Sequence, residues 1–387
     1  MGFEVSRRLS QLPPYLFAEI DKKKKAAMAA GKDVINLGIG DPDTPTPGVI
    51  IEALAEAARD PATHQYALDN GDPAFRSAIS EWFARRYGVK LDHESEIYPT
   101  IGSKEAIAHF PLAFLDPGQG ALIPEPGYPP YRGGVVFAGG IPFPMDLKKQ
   151  NGFFPDLDAV DTRLAAMSRL IYVNYPNSPT GVLATREFFQ KLVAFAQKHD
   201  LIIVQDAAYA EMAYEGRALS ILEIEGARER AIEFHSFSKT FNMTGWRVGF
   251  AAGGSELIAG LGRVKTNVDS GIFTAIQRAA AVALKHYDAL VPPLVEMYRR
   301  RRDTFCGGLS RMGWDVVPPQ STFYVWIPAP KGFTSVEVTL KLLEEASIVT
   351  TPGSGFGLAG EGYIRATLTA PEDRLALAVE RMKSLKW

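Results

Sequence analysis

The stretch Ser236-Phe-Ser-Lys239-Thr-Phe-Asn-Met-Thr-Gly-Trp-Arg247 sets a lysine among small hydroxyl residues, with an arginine eight positions on. A lysine becomes a nucleophile only when it sheds its proton near neutral pH, which nearby cationic groups encourage. Hydroxyls and an arginine beside that amine suit a dianionic phosphate. Together they point to Schiff-base chemistry on a phosphate-bearing carbonyl compound, and pyridoxal phosphate (PLP) is the expected cofactor. A lone Ser-x-Lys is by default an ordinary loop lysine. Its standing here depends on the other groups that such a site needs.

Those groups occur in a sensible order. Asp206 closes the apolar run 201–206 and opens Asp-Ala-Ala-Tyr209. A carboxylate facing a pyridine nitrogen keeps it protonated, so that the ring accepts electrons; an Asp at a strand end is otherwise a helix N-cap. Tyr209, one helical turn on, is placed to hydrogen-bond the cofactor's phenolic oxygen. The loop Asn174-Tyr-Pro-Asn177-Ser178-Pro-Thr-Gly181 offers an amide or hydroxyl near the same oxygen. Gly102-Ser103-Lys104-Glu105 reads as a loop entering a helix, where free N–H groups and the dipole favour phosphate. A plain capping box is the alternative there. Tyr128, in Pro126-Gly-Tyr-Pro-Pro130, can stack on a pyridine face or simply pack. Arg365, on a late strand, is a candidate bidentate clamp for a substrate α-carboxylate.

An α/β scaffold would position them. Between about residues 98 and 250, the apolar runs 120–124, 170–174, 201–206, 231–236 and 248–252 alternate with helical patterns. That pattern predicts a mostly parallel sheet buried on both faces. Ligand groups then gather at strand carboxyl ends, where Asp206 and Ser236 fall. Helices are expected over 14–31, 47–59 and 73–87, and a strand over 34–37 runs into Gly38-Ile-Gly40-Asp-Pro42. Residues 256–305 read as largely helical. The remainder is α+β, with strands at 321–327 and 362–368 and helices at 335–346 and 371–385. The expected division is an N-terminal segment, 1–45, folded onto a small domain; a large PLP-binding domain, 46–284; and the small C-terminal domain, 285–387.

A formal net charge of -2 gives no overall attraction to nucleic acid or acidic membranes. No apolar run is long enough to span a bilayer, and the N-terminus lacks a signal-peptide core. The single cysteine, Cys306, excludes an intramolecular disulfide and a cysteine-based metal site, and fits a reducing cytoplasm. Six histidines without His-x-x-x-His spacing argue against any metal. The basic runs at 22–25 and 299–302 are expected on the wet faces of helices.

Asp206-x-x-Tyr209, Ser-x-Ser-Lys239, Arg247, Asn177-Ser-Pro-Thr-Gly181 and Arg365 together resemble the fold-type I, class I/II PLP-dependent aminotransferases. The resemblance covers essentially the whole chain. Leu12-Pro-Pro-Tyr15-Leu-Phe-Ala-Glu-Ile-Asp21, Leu37-Gly-Ile-Gly40-Asp-Pro42 and Lys265-Thr-Asn267-Val-Asp-Ser-Gly-Ile-Phe273 are similar to LL-diaminopimelate aminotransferases and their relatives. The family's fold implies a large domain with a mostly parallel seven-stranded sheet plus a smaller α+β domain, in a homodimer with shared active sites. It implies Lys239 as Schiff-base lysine and proton shuttle, Asp206 as pyridinium partner and Tyr128 as stacking residue. Ser103, Lys104, Ser236, Ser238 and Arg247 would lie near the phosphate, with Tyr66 reaching it across the dimer. Tyr15, Gly40, Asn267 and Arg365 would face substrate. Two departures stand out. The family has Asn immediately before Pro-Thr-Gly, where this chain has Ser178, with Asn177 one earlier; either could contact the phenolic oxygen. Tyr66-Ala-Leu-Asp-Asn-Gly71 also lacks the Pro expected after the tyrosine in diaminopimelate enzymes.

The expected activity is amino transfer between LL-2,6-diaminopimelate and 2-oxoglutarate, a step of lysine biosynthesis. Tyr15, Asn267 and the backbone near Gly40 are uncharged, which suits a distal zwitterion better than a distal carboxylate alone. The alternatives are a broader aspartate, aromatic or neutral amino-acid aminotransferase, and a PLP C–S β-lyase using the same lysine, aspartate and clamp. An NAD-dependent oxidoreductase is disfavoured, because Gly353-Ser-Gly355-Phe-Gly357 lies late and lacks the G-x-G-x-x-G form. The effector domain of a regulator is disfavoured by the intact Lys239 and the lack of a DNA-binding region.

Overall fold

The computed structural model describes residues 3–12, 17–67 and 70–387, so Tyr15 lies outside the described residues. The chain crosses β1 (Ile35–Asn36), then β2 (Ile97–Thr100), β3 (Gly120–Glu125), β4 (Ile141–Asp146), β5 (Ser168–Asn174), β6 (Ile202–Asp206), β7 (Ala231–Ser236) and β8 (Gly249–Gly253). The last seven form one sheet in the order β2-β8-β7-β6-β5-β3-β4. Only β8 runs antiparallel to its neighbours. Residues 170–173 and 202–204 are buried, as central strands covered on both faces must be.

Two strands of this sheet were not anticipated from the sequence. β2 contains Pro99, and β4 contains Pro142 and Pro144. Proline cannot donate to a ladder, which disguises a strand and confines it to positions that can spare a donor. Both strands lie at the edges of the sheet.

The C-terminal part adds β9 (Tyr324–Pro328), β10 (Ile348–Val349), β11 (Thr351–Pro352) and β12 (Tyr363–Thr367). β11, β12 and β9 form an antiparallel sheet in which Arg365 stands opposite Thr351 on one side and Trp326 on the other. β1 pairs in parallel with β10. The following loop is stitched to this sheet: the Thr367 N–H donates to the Leu37 carbonyl and the Thr351 hydroxyl to the Gly38 carbonyl. Gly38 to Gly40 are thereby held against β12.

The helical stretch expected over 256–305 is three helices, Ser255–Val268, Thr274–Lys285 and Tyr287–Arg311. The first break is a turn in which Asp269 accepts the Gly271 N–H at 2.8 Å. The basic run in the third helix departs from expectation. Arg301 is buried and paired bidentately with Asp43 at 2.7 and 2.8 Å, because it shares the inward face with Tyr298 and Phe305. Lys24 of the other run is likewise partly buried and faces the cavity described below. Cys306 is buried, and burial pushes its thiol up to about 12, so it packs rather than reacts. No helix among the described residues is long and apolar enough to cross a membrane.

Candidate active site

A cavity of about 970 Å³ opens where the carboxyl ends of β5, β6 and β7 face β12 and loop 38–41. Ligand sites commonly span ~300–1,000 Å³, so there is room for a cofactor and a substrate together.

Three strand ends build one wall. Asp206, at the end of β6, is 5% exposed. Its carboxylate accepts the Tyr131 hydroxyl at 2.7 Å and the Ala208 N–H at 3.1 Å. Burial lifts its pKa, while those two bonds and His235 oppose the rise. Tyr131 is fixed by stacking on Tyr172, with centroids 5.4 Å apart. Asn174, at the end of β5, lies in register with Asp206. It donates to the Asp206 carbonyl at 2.7 Å and accepts the Ser178 N–H at 2.8 Å. The loop is thereby turned so that Ser178 lines the cavity. Asn177 is buried elsewhere, its amide used on the Asn174 carbonyl and on Thr180.

Lys239 projects from the one-turn helix Phe237–Thr240 that follows β7, and its Nζ donates to the Gly40 carbonyl at 2.7 Å. Burial lowers its pKa; Arg365 and Arg247 add to this, while Tyr324 and Asp41 oppose it. The amine therefore loses its proton more readily than a free lysine.

Ser103, Lys104, Ser236, Ser238 and Arg247 line the same cavity. Ser103 and Lys104 open the helix Ser103–His109, whose first N–H groups have no intrahelical acceptor. Glu105 fixes that start by accepting the Ile101 N–H at 2.9 Å and buried Lys265 at 2.5 Å. Arg247 donates to the Ser238 hydroxyl at 3.3 Å and the Thr244 carbonyl at 2.8 Å. Gly102 has φ 71°, and a Cβ there would collide with the Arg247 guanidinium. The Ser236 side chain makes no capping bond, which leaves its hydroxyl for a ligand.

Arg365 lines the cavity from β12. Its guanidinium lies 4.0 Å over the Tyr324 ring and 4.6 Å over the Phe356 ring, and Nη2 donates to the Gly38 carbonyl at 3.2 Å. Its Nε is buried without a partner. An unpaired buried donor is costly, and an anion would relieve it. The Tyr209 hydroxyl donates to that of Tyr324 at 3.1 Å. Gly40 permits this packing, since a Cβ there would run into the Tyr324 hydroxyl.

These residues fit PLP. The serine hydroxyls and Arg247 could hold its phosphate, Asp206 a protonated ring nitrogen and Lys239 its aldehyde carbon. Tyr128 is half-buried in the lining, edge-on to Tyr131 at 5.8 Å. Arg365 remains for a carboxylate.

Besides Asn177, two expected residues are not part of this chain's cavity. Tyr66 is 76% exposed. Asn267 is exposed and bonds the Arg263 carbonyl at 2.8 Å. It falls opposite the inward face of its helix, which Leu257, Ile258, Leu261 and Lys265 occupy. Tyr209 is not on a helical turn from Asp206; it sits in a turn closed by the Ala210 N–H on the Ala207 carbonyl at 2.9 Å, just before the 3-10 turn Ala210–Met212. Among the cavity residues to which the sequence reading gave no role of their own are Tyr131, Asn174 and Tyr324. Tyr131 follows Tyr128 by three, and Asn174 ends a strand as Asp206 does, so both had a signal. Tyr324 had none.

The profile of the family Aminotransferase class I and II matches residues 32–382. LL-diaminopimelate aminotransferase of Syntrophobacter fumaroxidans is 51% identical, over 100% of both chains. The enzyme of the same name from Aquifex aeolicus is 50% identical, over 99% of this chain and 100% of its own. Among solved structures, an aspartate aminotransferase double mutant of Thermus thermophilus is 31% identical with TM-score 0.93, over 99% of both chains.

Proposed function

The chain belongs to the class I and II aminotransferases, which are PLP-dependent, and we propose that it moves an amino group between LL-2,6-diaminopimelate and 2-oxoglutarate. The observation that carries this reading is the unpaired, buried Nε of Arg365 in one cavity with the Lys239 amine. Relatives 51% and 50% identical over their full length, both LL-diaminopimelate aminotransferases, support the choice of substrate.

When bound, PLP supplies an aldehyde carbon that bonds to amines and a ring that takes up the electron pair of a broken Cα–H bond. Lys239 Nζ would hold the cofactor and, once the substrate amine has displaced it, would take the proton from the substrate Cα; its lowered pKa suits it to act as a base. Asp206 would hold the proton on the ring nitrogen. Ser103, Lys104, Ser236, Ser238 and Arg247 would bind the phosphate, Tyr128 would cover the ring face, and Tyr209 and Ser178 would serve the phenolic oxygen. Arg365 binds the α-carboxylate. Amino acid and oxo acid share that group, so one clamp serves both halves of the reaction. Tyr66 and Asn267 would act across a homodimer interface, a reading supported by the exposure of Tyr66 and of other apolar residues such as Ile39 and Phe273. Cys306, the single cysteine and a buried one, supports a cytoplasmic setting.

The test is to supply LL-diaminopimelate and 2-oxoglutarate to the purified protein and measure glutamate. Borohydride reduction should fix the cofactor on the peptide bearing Lys239. Pyruvate and ammonia released from a cysteine thioether, with no glutamate formed, would overturn the reading in favour of a lyase.

A further inference from the structure

We propose that Tyr324 is a positioning residue that couples the carboxylate clamp at Arg365, through Tyr209, to the cofactor's phenolic oxygen. The proposal rests on the assignments of Lys239, Tyr209 and Arg365 made above.

Tyr324 opens β9 and is 5% exposed. Its cross-strand partner on β12 is Thr367, two residues beyond Arg365. Residues two apart on a strand share a face, which brings the guanidinium over the phenol ring at 4.0 Å. The hydroxyl meets that of Tyr209 at 3.1 Å, with Tyr209 donating. The bare Cα of Gly40 makes room for it. One side chain thus touches both the clamp and the tyrosine assigned to the cofactor.

The charged and titratable groups facing Tyr324 are Arg365 from β12, Lys239 from the helix after β7, Tyr209 from the turn after β6, Asp41 from the N-terminal loop and Tyr298 from the helix Tyr287–Arg311. Burial works against ionising this phenol. Arg365, Lys239 and the bond from Tyr209 outweigh burial and hold its pKa below the ordinary value. Tyr209 is the opposite case: burial and the neighbouring Tyr324 raise its pKa, so the shared proton stays on Tyr209.

A hydroxyl has one proton to give. While Tyr209 donates to Tyr324, it cannot donate to the phenolic oxygen. A carboxylate seated on Arg365 cancels the positive charge that favours Tyr324 as the acceptor of the Tyr209 hydroxyl. The pair then reverses: the Tyr324 hydroxyl donates to Tyr209, whose own proton is released for the cofactor oxygen. The direction of this chain of hydrogen bonds reports whether the clamp is filled.

The experiment titrates the visible absorbance of the holoenzyme against pH, with and without saturating glutarate, a dicarboxylate that has no amine or oxo group to react. In the wild type, glutarate should move the midpoint. Tyr324→Phe keeps the ring under Arg365 and should lose part of that movement, the remainder being the direct action of Arg365 on Lys239. Tyr209→Phe should lose the same portion, and the double variant no more than either single one. Equal midpoint movements in wild type and Tyr324→Phe would overturn the proposal, as would additive losses in the double variant. A wild-type midpoint that glutarate leaves in place would overturn it as well. A wild-type holoenzyme with no visible band would fail the cofactor assignment beneath it, before Tyr324 is changed at all.

Discussion

Arg365→Lys keeps the positive charge and removes the planar fork. In the native site the guanidinium is held between the rings of Tyr324 and Phe356, at 4.0 and 4.6 Å, and tied by Nη2 to Gly38 at 3.2 Å. It is therefore oriented before any ligand arrives, with Nε unpaired. A fork gives a carboxylate two parallel hydrogen bonds, whereas an ammonium gives one and has no plane to stack. Losing one charge-assisted bond costs about 1.5–3 kcal/mol, which lowers kcat/KM about 10- to 150-fold. The α-carboxylate is common to the amino donor and the oxo acid, so both half-reactions should fall by the same factor. Cofactor retention should be unchanged, because no hydrogen bond links Arg365 to Ser238 or Arg247. The assay is single-turnover absorbance of each half-reaction, run separately. A loss below about threefold, on a scale where a missing bond costs tenfold or more, would refute the clamp. So would a loss confined to one half-reaction.

Three further outcomes are expected. Asp206→Ala should still bind PLP but slow removal of the substrate α-proton by on the order of 10²- to 10³-fold, the scale of losing one preorganised electrostatic partner; a near-normal rate would sink that role. Burial, with Arg365 and Arg247, lowers the Lys239 pKa, so acylation of Lys239 in the apoprotein should reach half its maximal rate below pH 10.5. Removing a cation raises an amine's pKa, so Arg365→Ala should move that midpoint up, and a downward shift would contradict the electrostatics. Light scattering should find a dimer at assay concentration; an active monomer would rule out a site completed by Tyr66 of a second chain.

The parts of the fold written in the sequence are those where local pattern and global packing agree. β5, β6 and β7 are near-continuous apolar runs ending in Asn174, Asp206 and Ser236, and a parallel sheet places such ends at its ligand edge. β2 and β4 were hidden because their prolines lower strand propensity, a cost tolerated only at the sheet edges where they lie. The lysine, aspartate and two arginines were legible because each stands in a local motif. Tyr131 carried only the weak signal of its spacing from Tyr128, and Tyr324 carried none. Their roles depend on contacts 75 and 115 residues away in the chain, to Asp206 and Tyr209 respectively. The Arg299–Arg302 run misled for a related reason: charge alone predicts a wet face, and the carboxylate that makes burial of Arg301 tolerable, Asp43, lies 258 residues away. Asn177 and Ser178 could be told apart only by the turn that Asn174 imposes.

The central claim is tested most directly by an amino-donor panel with 2-oxoglutarate as acceptor, comparing kcat/KM for LL-diaminopimelate, aspartate, alanine, phenylalanine and kynurenine. LL-diaminopimelate is predicted to rank first. If it ranks at or below the simple amino acids, the proposed substrate is wrong, whatever the enzyme does with the others.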